Sequence, residues 1–176
     1  MIIIEGPDCA GKSTLAKKIV ELSEKTTTPR WGIHYSVPPA NSNVEAYAGL
    51  WSKHFVCDRF HASEIVYSKF QDNRQSLFSC AEEYNSVDLA IALKSICVAI
   101  IPSEETIRKR WRDGEMFTLE QVLEARQRYD DLYLGDGIDF KGGKALGVAE
   151  IIIAGEECTE TIADYVLQQH EALVNG

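Results

Sequence analysis

This chain of 176 residues lacks an apolar run long enough to cross a bilayer, which takes about 20 residues. A membrane is therefore not expected as a partner. The opening apolar run, Met1 to Ile4, ends at Glu5, so no signal peptide is expected either. The chain also lacks an excess of positive charge. It carries 18 Lys and Arg against 27 Asp and Glu, a net charge of −9. That balance argues against sequence-independent binding to a nucleic-acid polymer, although a local cluster of Arg and Lys can still hold a single nucleotide. Nor is there a C-x-x-C spacing among Cys9, Cys57, Cys80, Cys97 and Cys158, and their number is odd. They read as reduced thiols of a cytoplasmic protein. Each is a small buried hydrophobe by default, except Cys9, whose place in the chain is special. Internal repeats, low-complexity tracts and an inter-domain linker are missing as well. With 45% hydrophobic and 26% charged residues, the expectation is one globular domain over 1–176 with a sizeable core.

What is present is concentrated in Gly6-Pro7-Asp8-Cys9-Ala10-Gly11-Lys12-Ser13-Thr14. A short β-branched run precedes it and reads as a strand. Leu15, Ile19 and Leu22 follow at helical spacing. A G-x-x-x-x-G-K-[ST] loop between a strand and a helix is a phosphate site. Gly6 and Gly11 allow backbone conformations that a side chain forbids. Successive N–H groups then converge on phosphate oxygens at the positive end of a helix. Lys12 adds a point charge at the β- and γ-phosphates, and Ser13 offers a hydroxyl to Mg²⁺. The ATP-binding residues expected are Gly6, Asp8, Cys9, Ala10, Gly11, Lys12, Ser13 and Thr14. A plain glycine turn with a capping Ser is the alternative, and the strand and helix flanks argue against it.

Further along, Trp31 to Ser36 reads as a second strand, 37–43 as a loop and Val44 to Lys53 as a helix with Tyr47, Leu50 and Trp51 on one face. His54 to Cys57 reads as a third strand ending at Asp58-Arg59. Helices are predicted over 62–70 and 77–93, with 73–76 looser. The continuous apolar run Ser95 to Ile101 predicts a buried parallel strand. Ser103 is a candidate N-cap for a helix that carries Arg108, Lys109, Arg110 and Arg112. Leu119 to Tyr133 predicts another helix. The Gly-rich stretch 135–147 reads as a loop, Val148 to Ala154 as the last strand, and Thr159 to Val174 as the last helix with Thr159 as its N-cap. Five apolar strands alternating with helices imply an α/β fold with a five-stranded parallel sheet covered on both faces.

Asp58-Arg59 forms a second constellation. A carboxylate at the end of a buried strand beside the P-loop strand suits Mg²⁺ held through water. A guanidinium next to it suits a second phosphate, which it grips bidentately. A surface ion pair after a strand is the competing reading, and the P-loop in the same chain favours function.

The residues from Ile4 to Thr14 resemble the opening of thymidylate kinases, in which an apolar strand leads into E-G-x-D-x-A-G-K-[ST]-T. Asp58-Arg59-Phe60 resembles their Asp-Arg-Tyr motif, and Ser63 and Tyr67 match positions around it. Glu104 to Arg112 resembles the helix leading into their Arg-bearing lid, here about 108–118. Arg126 and Tyr129 match a post-lid pattern, and Ile151 to Gly155 resembles the last strand and adenine-side loop. The resemblance implies a nucleoside monophosphate kinase fold and ATP-dependent phosphorylation of a deoxynucleotide, with Mg²⁺ at Ser13 and Asp58. It implies that Asp8 lies near the acceptor's 3′-hydroxyl, that Arg59 contacts the acceptor phosphate, and that Ser63 and Tyr67 belong to the acceptor site. Some members carry a catalytic Arg at the position of Cys9. Cys9 supplies no cation, so Arg108, Arg110 and Arg112 are the candidates, unranked by sequence, with a solvated basic helix face as the plain alternative. The family commonly dimerises, so a homodimer is implied.

The chain departs from that family in one respect. A Phe and an Arg four residues on, which read the base in thymidylate kinases, do not occur before Asp58. Phe70 and Arg74 have the spacing but follow it. Tyr47 and Trp51 offer aromatic faces before it, with core packing as the alternative. The segments 34–39 and 59–67 resemble compact thymidylate-kinase-like proteins carried by phages, which would act in the host cytoplasm. Thymidylate leads as acceptor, and a modified pyrimidine or another deoxynucleotide follows. A nucleoside or other small-molecule kinase uses the same scaffold. A non-catalytic ATP-binding module is a third reading. A guanine-reading Asn-Lys-x-Asp motif is missing, and so is the Asp-Glu strand end usual in motor and transport ATPases.

Overall fold

The β-branched runs become strands, and the Gly-rich loop joins the first of them to a helix. The computed structural model describes residues 1–26, 31–35, 54–70, 76–155 and 159–175. In chain order the elements are β1 (Ile2–Glu5), α1 (Lys12–Thr26), β2 (Gly32–Tyr35), β3 (Phe55–Asp58), α2 (His61–Tyr67) with a 3-10 turn (Ser68–Phe70), and α3 (Ala81–Ala92). They continue with β4 (Ile96–Ile100), α4 (Glu104–Arg110), α5 (Leu119–Tyr133), β5 (Ile138–Phe140), β6 (Gly143–Ala145), β7 (Ile151–Ile153) and α6 (Thr159–Asn175). The expected helix at 44–53 with Tyr47, Leu50 and Trp51, the loop at 37–43, Arg74 and Cys158 lie outside the described residues.

Five strands form one parallel sheet in the order β2-β3-β1-β4-β7. The P-loop strand β1 is central and fully buried. Alternation along the strands sends their side chains to two cores. Ile2, Ile4, Val98 and Ile100 pack with Leu15 and Ile19 of α1 and Val166 and Leu167 of α6. On the opposite face, Ile3, Cys57 and Cys97 pack with Phe60. Ala99 and Ile101 join Ile65, Tyr84, Val122 and Tyr129 from α2, α3 and α5. Fully burying one such aliphatic or aromatic side chain contributes about 1.5–3 kcal/mol. The helix caps follow the sequence: Ser103 accepts from the Thr106 N–H, and Thr118 and Gln121 form a reciprocal capping box on α5.

The structure corrects four boundaries. The Gly-rich stretch expected as a loop contains an antiparallel hairpin, β5–β6, turning on Lys141 (φ 30°) and Gly142 (φ 84°). A two-residue turn with both φ positive matches the twist of the flanking strands. The last strand is shorter than 148–154 because its start is drawn elsewhere: the Val148 N–H donates to Asp88, and the chain joins β4 only from the Glu150 N–H, which donates to the Cys97 carbonyl. Helix α3 starts at Ala81 rather than 77, because Phe78 turns into the core and Ser79 donates to Glu83 by both its N–H and its hydroxyl. Thr159 is the first helical residue of α6 rather than its cap.

Candidate active site

The loop between β1 and α1 is held open by backbone conformations that its sequence permits. Gly6 sits at φ 145°, where a Cβ would stand 2.3 Å from the Ile100 carbonyl oxygen of β4. Gly11 (φ 97°) and Cys9 (φ 63°) also take positive φ. Lys12 is almost fully buried and folds back to donate to the Pro7 carbonyl at 2.6 Å. Burial pushes its pKa from 10.5 down to about 8, with Arg59 pushing the same way and Asp8, Asp58 and Glu5 opposing. A buried ammonium held on a loop carbonyl is a donor ready to be transferred to an anion. Thr14 follows at the start of α1, its N–H donating to the Gly11 carbonyl.

β3 lies beside β1, with Asp58 in register with Ile4. The Ser13 hydroxyl therefore meets the Asp58 carboxylate and donates to it. The two residues singled out for Mg²⁺ are thus in contact at the mouth of the P-loop. Both offer hard oxygen ligands, and one or two protein ligands completed by substrate phosphates suit that ion, so the pair fits it.

Arg59 follows Asp58 at φ 71°, an unusual conformation for a residue with a side chain. Its N–H donates to the Ile4 carbonyl at 2.9 Å. Its guanidinium is ion-paired with Asp8 and lies over the Tyr67 ring, 4.7 Å from the centroid. Burial works against the guanidinium's charge, but Tyr67, Asp8, Tyr129 and Glu5 outweigh it and raise its pKa. Tyr67 closes the group: its hydroxyl accepts from the Asp8 N–H at 2.9 Å and donates to the Asp8 carboxylate at 3.2 Å. Burial pushes the Tyr67 phenol up. Ser63 is in reach of this cluster through Glu5 and Tyr129, at 2.7 Å from each.

The three candidate arginines separate by position. Among the described residues, Arg110 is the one that reaches the P-loop, donating to the carbonyls of Cys9 (3.3 Å) and Ala10 (3.2 Å). Arg108 pairs with Glu104 on the exposed face of α4. Arg112 folds onto the carbonyls of Lys109 and Trp111. Spacing alone could not rank the three: residues 108 and 110 project to different sides of a short helix, and Arg112, expected on that helix, lies beyond its end because the backbone turns extended at Trp111. Beside Arg110, a cleft of about 290 Å³ opens between the P-loop and the end of β7, lined by Gly11, Thr14, Arg110, Ile153, Gly155 and Ile162. Burial, Glu115 and Asp8 push the Cys9 thiol up, against Lys12 and Arg110.

Sequence reasoning missed two contributors. Glu5 is 2% exposed, yet its carboxylate accepts from the N–H groups of Phe60 and Ala62 and from the hydroxyls of Ser63 and Tyr129. The available signal was a carboxylate closing a buried apolar strand, a costly placement without donors. Phe117, between α4 and α5, packs its ring 5.0 Å from that of Tyr67 and 6.3 Å from that of Phe70. No local pattern brings residues 67, 70 and 117 together.

No protein-family model and no curated protein sequence matches the chain. Solved structures do. The YorR protein from Bacillus subtilis, crystallised with phosphorylated GDP, superposes with a TM-score of 0.69 at 20% identity, covering 99% of this chain and 98% of that one. Deoxyadenosine kinase from M. mycoides with bound dCTP superposes with a TM-score of 0.52 at 18% identity, covering 98% of this chain and 100% of that one. The fold shared with these two structures is a five-stranded parallel sheet flanked by helices. Among the described residues, no helix is long and apolar enough to cross a membrane.

Proposed function

We propose that the chain is an ATP-dependent nucleoside monophosphate kinase, thymidylate kinase-like, that phosphorylates a deoxynucleotide, with dTMP or a related modified pyrimidine as the favoured acceptor. The observation that carries this reading is Arg59: a half-buried guanidinium beside the P-loop, paired with Asp8 and backed by Tyr67. An acceptor that already bears a phosphate gives that charge a purpose. The structure of YorR was determined with a nucleotide, and that of the deoxyadenosine kinase with dCTP, in line with nucleotide ligands on this scaffold.

In this reading the ATP phosphates take the P-loop amides, and Lys12 leaves the Pro7 carbonyl for the β- and γ-oxygens. The base and sugar of ATP occupy the cleft beside Arg110. Ser13 and Asp58 hold Mg²⁺, which when bound screens the charge of the phosphates. Arg59 takes the acceptor phosphate, and Asp8 is released toward the sugar hydroxyl. Lys12 and Arg110 stabilise charge on the phosphoryl group as it passes between nucleotides. Closure of the lid around 108–118 excludes water, which would otherwise accept the phosphoryl group. Arg110→Ala is expected to lower turnover about a hundredfold, whereas Arg108→Ala and Arg112→Ala stay within about threefold of the parent. Equal losses in all three variants would remove the special role of Arg110.

A second reading has its own support. Asp8 already neutralises Arg59, an arrangement that suits a nucleoside kinase needing no phosphate there. The deciding experiment is a coupled ADP-release assay with ATP and Mg²⁺ over a panel of nucleoside monophosphates, modified pyrimidines included, run beside the nucleosides. Turnover on one monophosphate is the expected result. Turnover on nucleosides alone would overturn the acceptor role of Arg59. ATP binding without transfer to any acceptor would favour a non-catalytic module.

A further inference from the structure

Arg59 works only if its strained backbone is held, and the residues that hold it come from the strand before the P-loop. Its own N–H is bonded to the Ile4 carbonyl at 2.9 Å, and the next N–H, that of Phe60, is bonded to the Glu5 carboxylate at 2.8 Å. The left-handed residue is thus bracketed by two consecutive residues of β1. The same Glu5 oxygen accepts from the N–H of Ala62 at 3.1 Å and of Ser63 at 3.4 Å. These are donors at the start of α2, whose N-cap, Phe60, has a side chain with nothing to accept with. The second Glu5 oxygen accepts from Ser63 at 2.7 Å and from Tyr129 at 3.0 Å, and those two hydroxyls lie 2.7 Å apart. Tyr129 is fully buried in α5, the helix that begins where the lid ends. One carboxylate therefore ties together the root of the P-loop, the Arg59 turn and the helix behind the lid.

We propose that Glu5 is a positioning residue: it sets the turn that aims the Arg59 guanidinium at the acceptor, and through Tyr129 it keeps that turn in register with the lid helix. The inference rests on the reading of Arg59 as the acceptor arginine, and it concerns how that arginine is placed. Glu5 faces N–H and O–H donors at every one of these contacts.

The test compares Glu5→Ala, Glu5→Asp and Glu5→Gln. Alanine removes every acceptor, and aspartate keeps the charge but falls a methylene short. Glutamine keeps one oxygen at the original reach. Glu5→Ala and Glu5→Asp are expected to raise the acceptor KM by about tenfold or more while the Kd for an ATP analogue stays within about twofold, and Glu5→Gln recovers part of the loss. A purely structural role would weaken both nucleotides together. An unchanged acceptor KM in a folded Glu5→Asp variant would overturn the proposal, as would equal losses for ATP and acceptor. Hydrogen exchange of the amides of residues 59–63, measured without any nucleotide, gives a readout independent of catalysis. Protection is expected to fall in Glu5→Ala and Glu5→Asp, and unchanged exchange in both would also overturn the proposal. If the parent enzyme transfers phosphate to no monophosphate but exchange rises as expected, the positioning of the turn stands and the acceptor reading of Arg59 falls instead. If Glu5→Ala does not fold, the aspartate and glutamine variants carry both measurements.

Discussion

Lys12→Ala is expected to lower turnover about a thousandfold while the protein keeps its fold. The ammonium is the one P-loop side chain whose charge can follow the β- and γ-phosphates, and losing a positioned donor of this kind costs about 10²–10³ in rate. Stability should not fall with it. Holding this ammonium in the protein interior lowers its pKa from 10.5 to about 8. Each pKa step is worth about 1.4 kcal/mol, so the buried charge costs the folded state roughly 3 kcal/mol at neutral pH. Alanine removes that cost along with the bond to the Pro7 carbonyl, and the melting temperature at pH 7 is expected to equal or exceed the parent's. The sign of the pH dependence follows from proton counting. Between pH 8 and 10.5 the unfolded chain keeps the Lys12 proton and the folded chain has lost it, so stability rises with pH across that window. The rise attributable to Lys12 appears as the difference between parent and Lys12→Ala melting curves. Phosphate draws the proton back, so ATP binding at pH 8 should take up about half a proton, readable by calorimetry in buffers of different ionisation enthalpy. A Lys12→Ala enzyme with near-parent turnover would sink the catalytic reading, and ATP binding without proton uptake would sink the electrostatic one.

Arg59→Ala should abolish the preference for a phosphorylated acceptor. The expected loss in kcat/KM for the monophosphate is about 10²–10³, with ATP affinity within about twofold of the parent's. Arg59→Lys is expected to recover little, because an ammonium cannot reproduce the planar fork that grips phosphate and lies over the Tyr67 ring. The left-handed backbone can be tested separately. Arg59→Gly takes φ 71° without strain and should be more stable than Arg59→Ala by about 1 kcal/mol in chemical denaturation, although equally inactive. If the parent and Arg59→Ala phosphorylate a nucleoside equally well and neither touches monophosphates, the nucleoside kinase reading replaces the one proposed here.

Much of this molecule was legible in the chain. The P-loop and the α/β class rest on local signals: β-branched runs and glycine spacing. Helix α5 has the predicted bounds because a capping box marks its start and a regular apolar stripe runs its length. The hairpin at 138–145 was misread because glycine density outweighed the alternation of Ile138, Asp139 and Phe140, the real strand signal. The short β7 could not be foreseen, because Val148 is drawn out of the sheet by Asp88, 60 positions earlier.

The amino-acid sequence by itself determined the P-loop half of the candidate site. A phosphate loop is a local object, built by neighbouring residues from backbone N–H groups and glycine dihedrals, and its chemistry is written in consecutive letters. The half around Arg59 was decided by tertiary structure. Asp8, Arg59 and Tyr67 meet because β3 lies beside β1, and Arg110 rather than Arg108 or Arg112 reaches the loop because α4 ends against it. Glu5 becomes an organiser because a turn 55 positions away and a helix 124 positions away close on it. Such contacts depend on chain topology, and residue spacing carries no record of it.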